Sequence, residues 1–381
     1  MGDYSLGGYG QMAADRVRMD AYAAALEQAV RPGSVVLDIG TGAGMMALLA
    51  CRLGARKVYA VEPADVVHTA REIARANGMG DRIEFIQGLS TRVDLPERAD
   101  VVVSDLRGAL PLFGRHIPSI VDARVRLLAE GGVLIPRRDT LRGAVVAADE
   151  RHGEIVGPWE EGARGFDLSI ARRAAVNAWT RAKIRPEHLL SEPATWAVLE
   201  YSTIRDPDVR GPMEWTAGRG GTAHGFAMWF DADVAEGVGY TSGPHGPKTV
   251  YGTAFFPWPR AVELAEGDRV TVELQARLVG DEYVWLWDTR IQPATDGTVE
   301  FRQSTFFAEP LSPARLRARS HTHRPRLGED GRIDRLALER MEGAATLEEI
   351  ARELAATFPA RFGSWEEALT HAGRLAEKYG E

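Results

Sequence analysis

The sequence predicts an α/β chain in three parts: a doubly wound, Rossmann-like parallel sheet, an antiparallel β-barrel domain and a small C-terminal helical module. Three observations carry that expectation. Between residues 34 and 137, short β-branched runs alternate with segments of helical period, as in the strand–helix–strand units of a parallel sheet. From Thr140 the apolar period shortens to that of a strand, and Val270-Thr-Val-Glu-Leu-Gln-Ala-Arg-Leu278 alternates without a fault. Past Arg332 the helical period returns, and Thr346-x-x-Glu349 and Ser364-x-x-Glu367 are capping boxes that each start a helix. The expected boundaries are 1–138, 139–309 and 310–381.

The first part is organised around Val35-Val-Leu-Asp-Ile-Gly-Thr-Gly-Ala-Gly44, a strand that passes through three alternate glycines into a Met/Leu-rich helix beginning near Ala43. Gly40, Gly42 and Gly44 let the backbone approach a bound molecule, and the helix offers unpaired N–H groups to a carboxylate. Val58-Tyr-Ala-Val-Glu62 is the next strand, and its closing acid stands where such a side chain meets ribose hydroxyls. An adenosine-containing cofactor is expected. A dinucleotide fingerprint requires G-x-G-x-x-G, and here the third glycine falls one residue early, so NAD is disfavoured. Asp38-x-Gly-x-Gly-x-Gly with a later acidic strand end is similar to the motif of class I S-adenosylmethionine (SAM) methyltransferases. That resemblance makes SAM the expected cofactor, with Asp38, Gly40, Gly42, Gly44 and Glu62 around it.

The other elements follow in order. A Tyr/Gly-rich arm, Tyr4 to Met12, precedes an Ala-rich helix that runs to Val30 and is closed by Pro32-Gly33. A helix is expected from Asp65 to Asn77, then strands at Ile83–Ile86 and Ala99–Ser104. The loop Asp105 to Phe113 leads into a helix through Arg126, and Gly131-Gly132 reads as a turn into a last buried strand before Pro136. In the barrel half, Trp196–Tyr201, Phe226–Phe230 and Tyr283–Trp287 are strand-like, and a helical insertion between Trp159 and Glu192 interrupts them. Pro310 to Arg326 is a linker with five arginines, either a solvated connector or a contact surface for an acidic partner.

Composition narrows the class. At 381 residues, with 45% hydrophobic and 26% charged residues, the chain suits a soluble protein of two or three domains. One cysteine, Cys51, excludes an internal disulfide framework, and its apolar neighbours place it on a packed helix face. No apolar run reaches the roughly 18 residues of a membrane span, no basic-then-apolar leader opens the chain, and a cytoplasmic protein is expected. The net charge of −8 argues against a general nucleic-acid binder. His116, His224 and His245 have no metal-site spacing, and no metal is expected.

With these residues in place, residues 4 to about 307 resemble the protein arginine methyltransferases, in which a SAM-binding domain is followed by a β-barrel with a dimerisation arm. Tyr9-Gly10-x-Met12 and Asp15-Arg-Val-Arg18 correspond to the family's N-terminal helix, which implies that Met12 and Arg18 contact the sulfonium and carboxylate of SAM. Gly54-Ala-Arg-Lys-Val58 and Val61-Glu62 match further cofactor motifs, and Gly88-Leu-Ser-Thr91 places Ser90 and Thr91 at the adenine. Ile135-Pro136 falls at the domain junction. Trp159 with Gly165-Phe-Asp-Leu-Ser169 is similar to the segment leading into the arm, which implies a homodimer clasped through about 159–192.

The departures bear on the acceptor. The family's substrate loop, Ser-Glu-x-x-Gly, and a second glutamate hold a guanidinium between two carboxylates. Here the loop is Ser104-Asp105-Leu-Arg107-Gly108, the second glutamate position falls on Gly114, and the barrel motif Thr-His-Trp falls on Thr249-Val250-Tyr251. One carboxylate is shortened, the other is absent, and Arg107 would repel an incoming guanidinium. Asp105, Arg107 and His116 are the residues expected to face the acceptor: an acceptor carboxylate needs only a cation such as Arg107 to orient it, whereas an amine or imidazole needs its proton taken by Asp105 or His116. Capping of the following helix is the competing role for Asp105.

The last 60 or so residues are similar to the helical part of PqqD-like peptide-recognition domains, which bind leader peptides of ribosomally made natural products. The expected function is thus SAM-dependent N- or O-methylation of a peptide or protein, a natural-product precursor with an acidic leader among the candidates. Methylation of arginine, free or in protein, by a single-carboxylate site is the alternative. A SAM-binding interaction protein without turnover is the alternative of another class.

Overall fold

The computed structural model describes residues 5–161, 164–293, 297–309, 312–343 and 345–380. Tyr4 of the expected arm and Pro310 at the expected boundary lie outside the described residues.

Two helices open the chain, α1 (Leu6–Ala14) and α2 (Arg16–Ala29). The Asp15 carboxylate caps α2 by accepting from the Arg18 N–H at 3.2 Å. Next come β1 (Val35–Ile39), α3 (Met45–Arg52), β2 (Lys57–Glu62), α4 (Val66–Ala76), β3 (Ile83–Gln87), β4 (Ala99–Ser104), α5 (His116–Asp122) and β5 (Leu128–Ile135). The five strands form one parallel sheet in the order β3-β2-β1-β4-β5, with β1 central. Its β1 strand is buried throughout because both faces are covered. Val36 joins Tyr22, Leu26 and Ala47 in one core, whereas Val35, Leu37 and Ile39 join Ala123 and Leu127 in another. The strand order reverses between β1 and β4, so their carboxyl ends border the crevice where such sheets take ligands.

Two local expectations differ from the structure. The helix expected through Arg126 is α5 followed by a wider π-type turn, Ala123–Leu127. Gly131-Gly132 is no turn before a strand: β5 runs through it, and the pairing jumps from Ala99↔Leu128 to Val101↔Val133, so the glycines form a bulge.

The antiparallel half comprises β6 (Arg138–Val146), α6 (Asp149–Glu161), α7 (Ser169–Ala175), β7 (Thr180–Ala182), β8 (Ala194–Glu200), β9 (Val209–Thr216), β10 (Gly221–Ala235), β11 (Val238–Thr241), β12 (Thr253–Leu264), β13 (Arg269–Val279), β14 (Glu282–Gln292) and β15 (Val299–Ser304). One sheet runs β7-β12-β10-β6-β8 with β11 on β10, and the other runs β15-β14-β13-β9. Between them lie Trp215, Phe226, Phe256, Trp285 and Trp287. The expected helical insertion is only partly helical, since β7 adds an edge strand to β12 through Thr253↔Ala182. The parallel and antiparallel halves form a single compact unit.

Residues 311–381 form a second unit, with α8 (Pro313–Ala318), α9 (Glu329–Glu342), α10 (Leu347–Thr357) and α11 (Trp365–Tyr379). Its core is Ile333, Ala337, Ile350, Leu354, Ala368, Ala372 and Leu375. The capping box at Thr346 and Glu349 is complete. At Ser364 only half forms, because the Glu367 carboxylate accepts instead from the Gly363 N–H at 2.8 Å. Among the described residues this unit holds no strand, and no helix anywhere is long and apolar enough to cross a membrane.

Candidate active site

The turn after β1 is built by hydrogen bonds that reach across the sheet end. Gly40 and Thr41 N–H groups donate to the Val61 carbonyl at 2.8 and 3.1 Å. The Glu62 carboxylate receives the Gly42 N–H and the Ala64 N–H, each at 3.0 Å, tying the two strand ends together. The Asp38 carboxylate accepts from the Thr41 hydroxyl at 2.5 Å and from the Ala47 N–H at 3.1 Å, which fixes the entry to α3. Burial raises the pKa of Asp38 to about 7 against the pull of those two donors. Gly42 has φ +53°, and a Cβ there would stand 2.7 Å from the Tyr9 ring. A side chain would therefore displace Tyr9 as well as strain the turn.

A cleft of about 310 Å³ opens at this turn, bordered on one side by Met12, Gly40, Glu62, Ser90 and Thr91 and on the other by Asp105, Phe113, Gly114 and His116. A smaller recess of about 50 Å³ continues over Arg18, Asp38, Gly42 and Met45 at the start of α3. Tyr9, Met12, Gly40 and Asp105 border both. The two together make an elongated site, with a glycine cradle and helix N-terminus at one end and carboxylates at Glu62 and Asp105. That donor set suits a nucleoside bearing an amino acid.

At the acceptor side, a buried charge cluster joins both halves of the first unit. Asp105, immediately after β4, receives the Arg18 Nε–H, the Arg107 Nε–H at 3.1 Å and the Tyr251 hydroxyl at 2.6 Å. Arg107 also donates to Asp139 on β6 at 2.8 Å and to the Tyr22 hydroxyl. Its guanidinium carbon lies 5.1 Å from the ring centre of Phe230, and 5.7, 5.7 and 5.8 Å from those of Tyr22, Tyr240 and Tyr251. Burial works to raise the pKa of Asp105, but Arg18, Arg107 and the Tyr251 hydroxyl outweigh it and bring the group down to about 2. Asp139 is pushed above its usual range by burial, which Arg107 only partly offsets. Two cations and two anions thus cancel inside one enclosure.

A chain of hydrogen bonds leads on from Asp139. Its carboxylate accepts from the Tyr201 hydroxyl at 2.6 Å, and the Tyr201 oxygen lies 3.0 Å from His116 Nε2. Tyr201 has a single proton, committed to Asp139, so Nε2 carries the proton in that contact. Burial, then Arg107, lowers the His116 pKa to about 3, so the ring is neutral. Nδ1 is then a bare acceptor, buried and, among the described residues, without a hydrogen-bond partner.

The expected site residues therefore separate. Met12, Glu62, Ser90 and Thr91 line the larger cleft, while Arg18, Asp38 and Gly42 line the recess. Gly44 lines neither: a Cβ there would meet Ala70 on α4 at 3.3 Å, which makes it a packing glycine. Arg107 borders the cleft, yet its side chain is fully enclosed, and each of its three nitrogens donates to one of Asp105, Asp139 and Tyr22. It cannot orient an acceptor carboxylate in this arrangement. His245 lines neither cavity, and the His224 Nδ1 accepts from the Ala148 N–H at 3.2 Å. Sequence reasoning missed Tyr22, Asp139, Tyr201 and Tyr240; they belong to elements distant in the chain and carry no local motif.

Fold and site together define an α/β nucleoside-binding domain of the class I methyltransferase type with a barrel appended. Residues 22–141 match the family model for ribosomal protein L11 methyltransferase, and residues 140–280 match the arginine methyltransferase oligomerization subdomain. An arginine N(omega)-methyltransferase of Streptomyces achromogenes is 30% identical over 272 residues, 68% of this chain and 73% of that protein. Protein arginine N-methyltransferase 1 of Schizosaccharomyces pombe is 29% identical over 64% of this chain and 75% of its own. A probable protein arginine N-methyltransferase 6 of Arabidopsis thaliana is 29% identical over 59% of this chain, which spans about half (54%) of that relative. Among solved structures, the Trypanosoma brucei PRMT1 enzyme–prozyme complex with AdoHcy has a TM-score of 0.71, 20% identity, and coverage of 79% of this chain and 98% of that one. Arabidopsis protein arginine methyltransferase 10 has a TM-score of 0.69 and 23% identity over 79% and 97%. The chain belongs to the SAM-dependent arginine methyltransferase family.

Proposed function

We propose that the chain is a SAM-dependent methyltransferase acting on a peptide or protein group that enters the cleft uncharged. The observation that carries this is the cancelled charge of Arg18, Asp105, Arg107 and Asp139 at the acceptor side. With Gly114 where the family has its second glutamate, no net negative charge is left to draw a guanidinium out of water.

When bound, SAM supplies a methyl group on a sulfonium, already a good leaving group. The chain's task is to hold the two reactants in line. Glu62 would take the ribose hydroxyls, Ser90 and Thr91 would border the adenine, and Met12 would meet the sulfonium. Among the described residues Arg18 Nη2 makes no hydrogen bond, which leaves it for the cofactor carboxylate. Asp105 keeps Arg18 and Tyr251 in place. The exposed Phe166 just before α7 and Ile170 on its first turn support pairing with a second copy through the α6–α7 segment. The exposed arginines 315, 317, 319, 324 and 326 support docking of an acidic leader. Cys51, buried and unpaired, suits a cytoplasmic protein.

Arginine is the second reading, favoured by the names of the relatives. Calorimetry with S-adenosylhomocysteine followed by mass spectrometry for a 14-dalton gain decides between them. The panel is free arginine, arginine-rich peptides, and peptides presenting hydroxyl, imidazole and carboxyl groups with and without acidic leaders. Gain above all others on arginine or on the carboxyl peptides, both charged at neutral pH, refutes the uncharged acceptor. Tight binding with no gain anywhere identifies an interaction protein.

A further inference from the structure

The enclosure around Arg107 is a complete cation site. Two carboxylates from different halves of the unit, Asp105 and Asp139, a phenol oxygen from Tyr22 and four aromatic rings surround one guanidinium. Planar donors facing two carboxylates, with rings at cation–π range, is the chemistry that recognises a guanidinium. The residue that fills it belongs to the loop between β4 and α5, which also borders the cleft. Removing its side chain leaves Arg18 against Asp105 and Asp139, one cation against two anions.

We propose that Arg107 is the residue that sets acceptor charge: its guanidinium is the resident occupant of a guanidinium site continuous with the cleft, and vacating that site makes it bind a guanidinium ligand from outside. The proposal rests on the methyltransferase reading for its consequence in catalysis, but not for the binding itself.

The test uses the full-length protein and guanidinium chloride at millimolar concentration, with sodium and tetramethylammonium chloride as controls at equal ionic strength. Arg107→Ala is expected to melt well below the wild type, to regain most of that loss with guanidinium, and to gain nothing from either control. The wild type should show no such response. Arg107→Ala/Asp139→Asn, which restores the charge balance, should need at least tenfold more guanidinium. With S-adenosylhomocysteine bound, an arginine peptide should bind Arg107→Ala at least tenfold tighter than the wild type. A folded Arg107→Ala protein that ignores guanidinium, or a wild type that binds the arginine peptide as tightly as the variant, overturns the proposal and leaves Arg107 as a structural ion pair. Should Arg107→Ala fold only when guanidinium is present, that is itself capture of the ligand. Should it not fold at all, Arg107→Gln, shorter and uncharged, leaves room beside the two carboxylates, and the same peptide comparison decides. Failure of the wild type to bind S-adenosylhomocysteine would instead sink the methyltransferase reading while leaving guanidinium capture standing.

Discussion

Replacing Asp105 by asparagine removes the hub of the buried cluster, and the structure gives both the size and the pH course of the effect. Three donors converge on the two carboxylate oxygens, one from each arginine and one from Tyr251. Asparagine keeps one oxygen and turns an N–H pair toward cations, leaving Arg18 without its carboxylate partner and Arg107 with Asp139 alone. Breaking such a buried pair costs about 3–5 kcal/mol. The wild-type carboxyl titrates near 2 in the fold, below its ordinary 3.8. A depressed acid gives stability that is present above about pH 4 and lost as pH falls through 2. The gap between wild type and variant should thus be widest near pH 7 and narrow by about 1 kcal/mol at pH 3. Urea unfolding followed by tryptophan fluorescence measures it, since Trp215, Trp258, Trp285 and Trp287 are buried in the barrel half. The other titrating groups are common to both proteins, so the difference isolates Asp105. A gap below about 1 kcal/mol at pH 7, or one that stays constant from pH 6 to pH 3, refutes the hub.

Three more outcomes follow from the same geometry. His116, faced by Arg107, Asp105 and Tyr201, is held neutral with a pKa near 3, so its share of stability is full above about 6.5 and drains away below it. His116→Met should therefore lose about 2 kcal/mol less than the wild type between pH 7.5 and pH 5, read from urea midpoints. Asp38 behaves oppositely: its pKa is raised to about 7, so burial costs stability as pH rises through that range, and Asp38→Asn should gain about 2–3 kcal/mol on the wild type between pH 5 and pH 8. Equal pH slopes for variant and wild type would contradict either assignment. Gly42→Val, forced into φ +53° against the Tyr9 ring, should bind S-adenosylhomocysteine at least tenfold more weakly by calorimetry while unfolding as cooperatively as the wild type.

The parts of the fold that could be read from the sequence are those fixed by local pattern. The βαβ unit around Asp38 and Glu62, the alternation of β13 and the cap at Thr346 each declare themselves within a few residues, because period and capping are short-range properties. The Gly131-Gly132 bulge misled because glycine marks turns and bulges alike, and only pairing with β4 separates them. Gly44 misled for a similar reason: its positive φ is shared with the other two glycines, but its neighbour is Ala70 rather than the cleft.

Arg107 shows a deeper limit. Its charge could be read directly, but whether a cation repels or is already neutralised depends on partners, and Asp139 lies 32 positions away on the first strand of the barrel half. Tyr22, Tyr201, Tyr240 and Tyr251 come from four separate elements or loops and meet only once both halves have packed. Arg18 and Arg107 against Asp105 would, taken alone, make this end of the cleft positive. Asp139 corrects that to zero. The charge at this end of the cleft is thus a property of the whole cluster and of no single position in it.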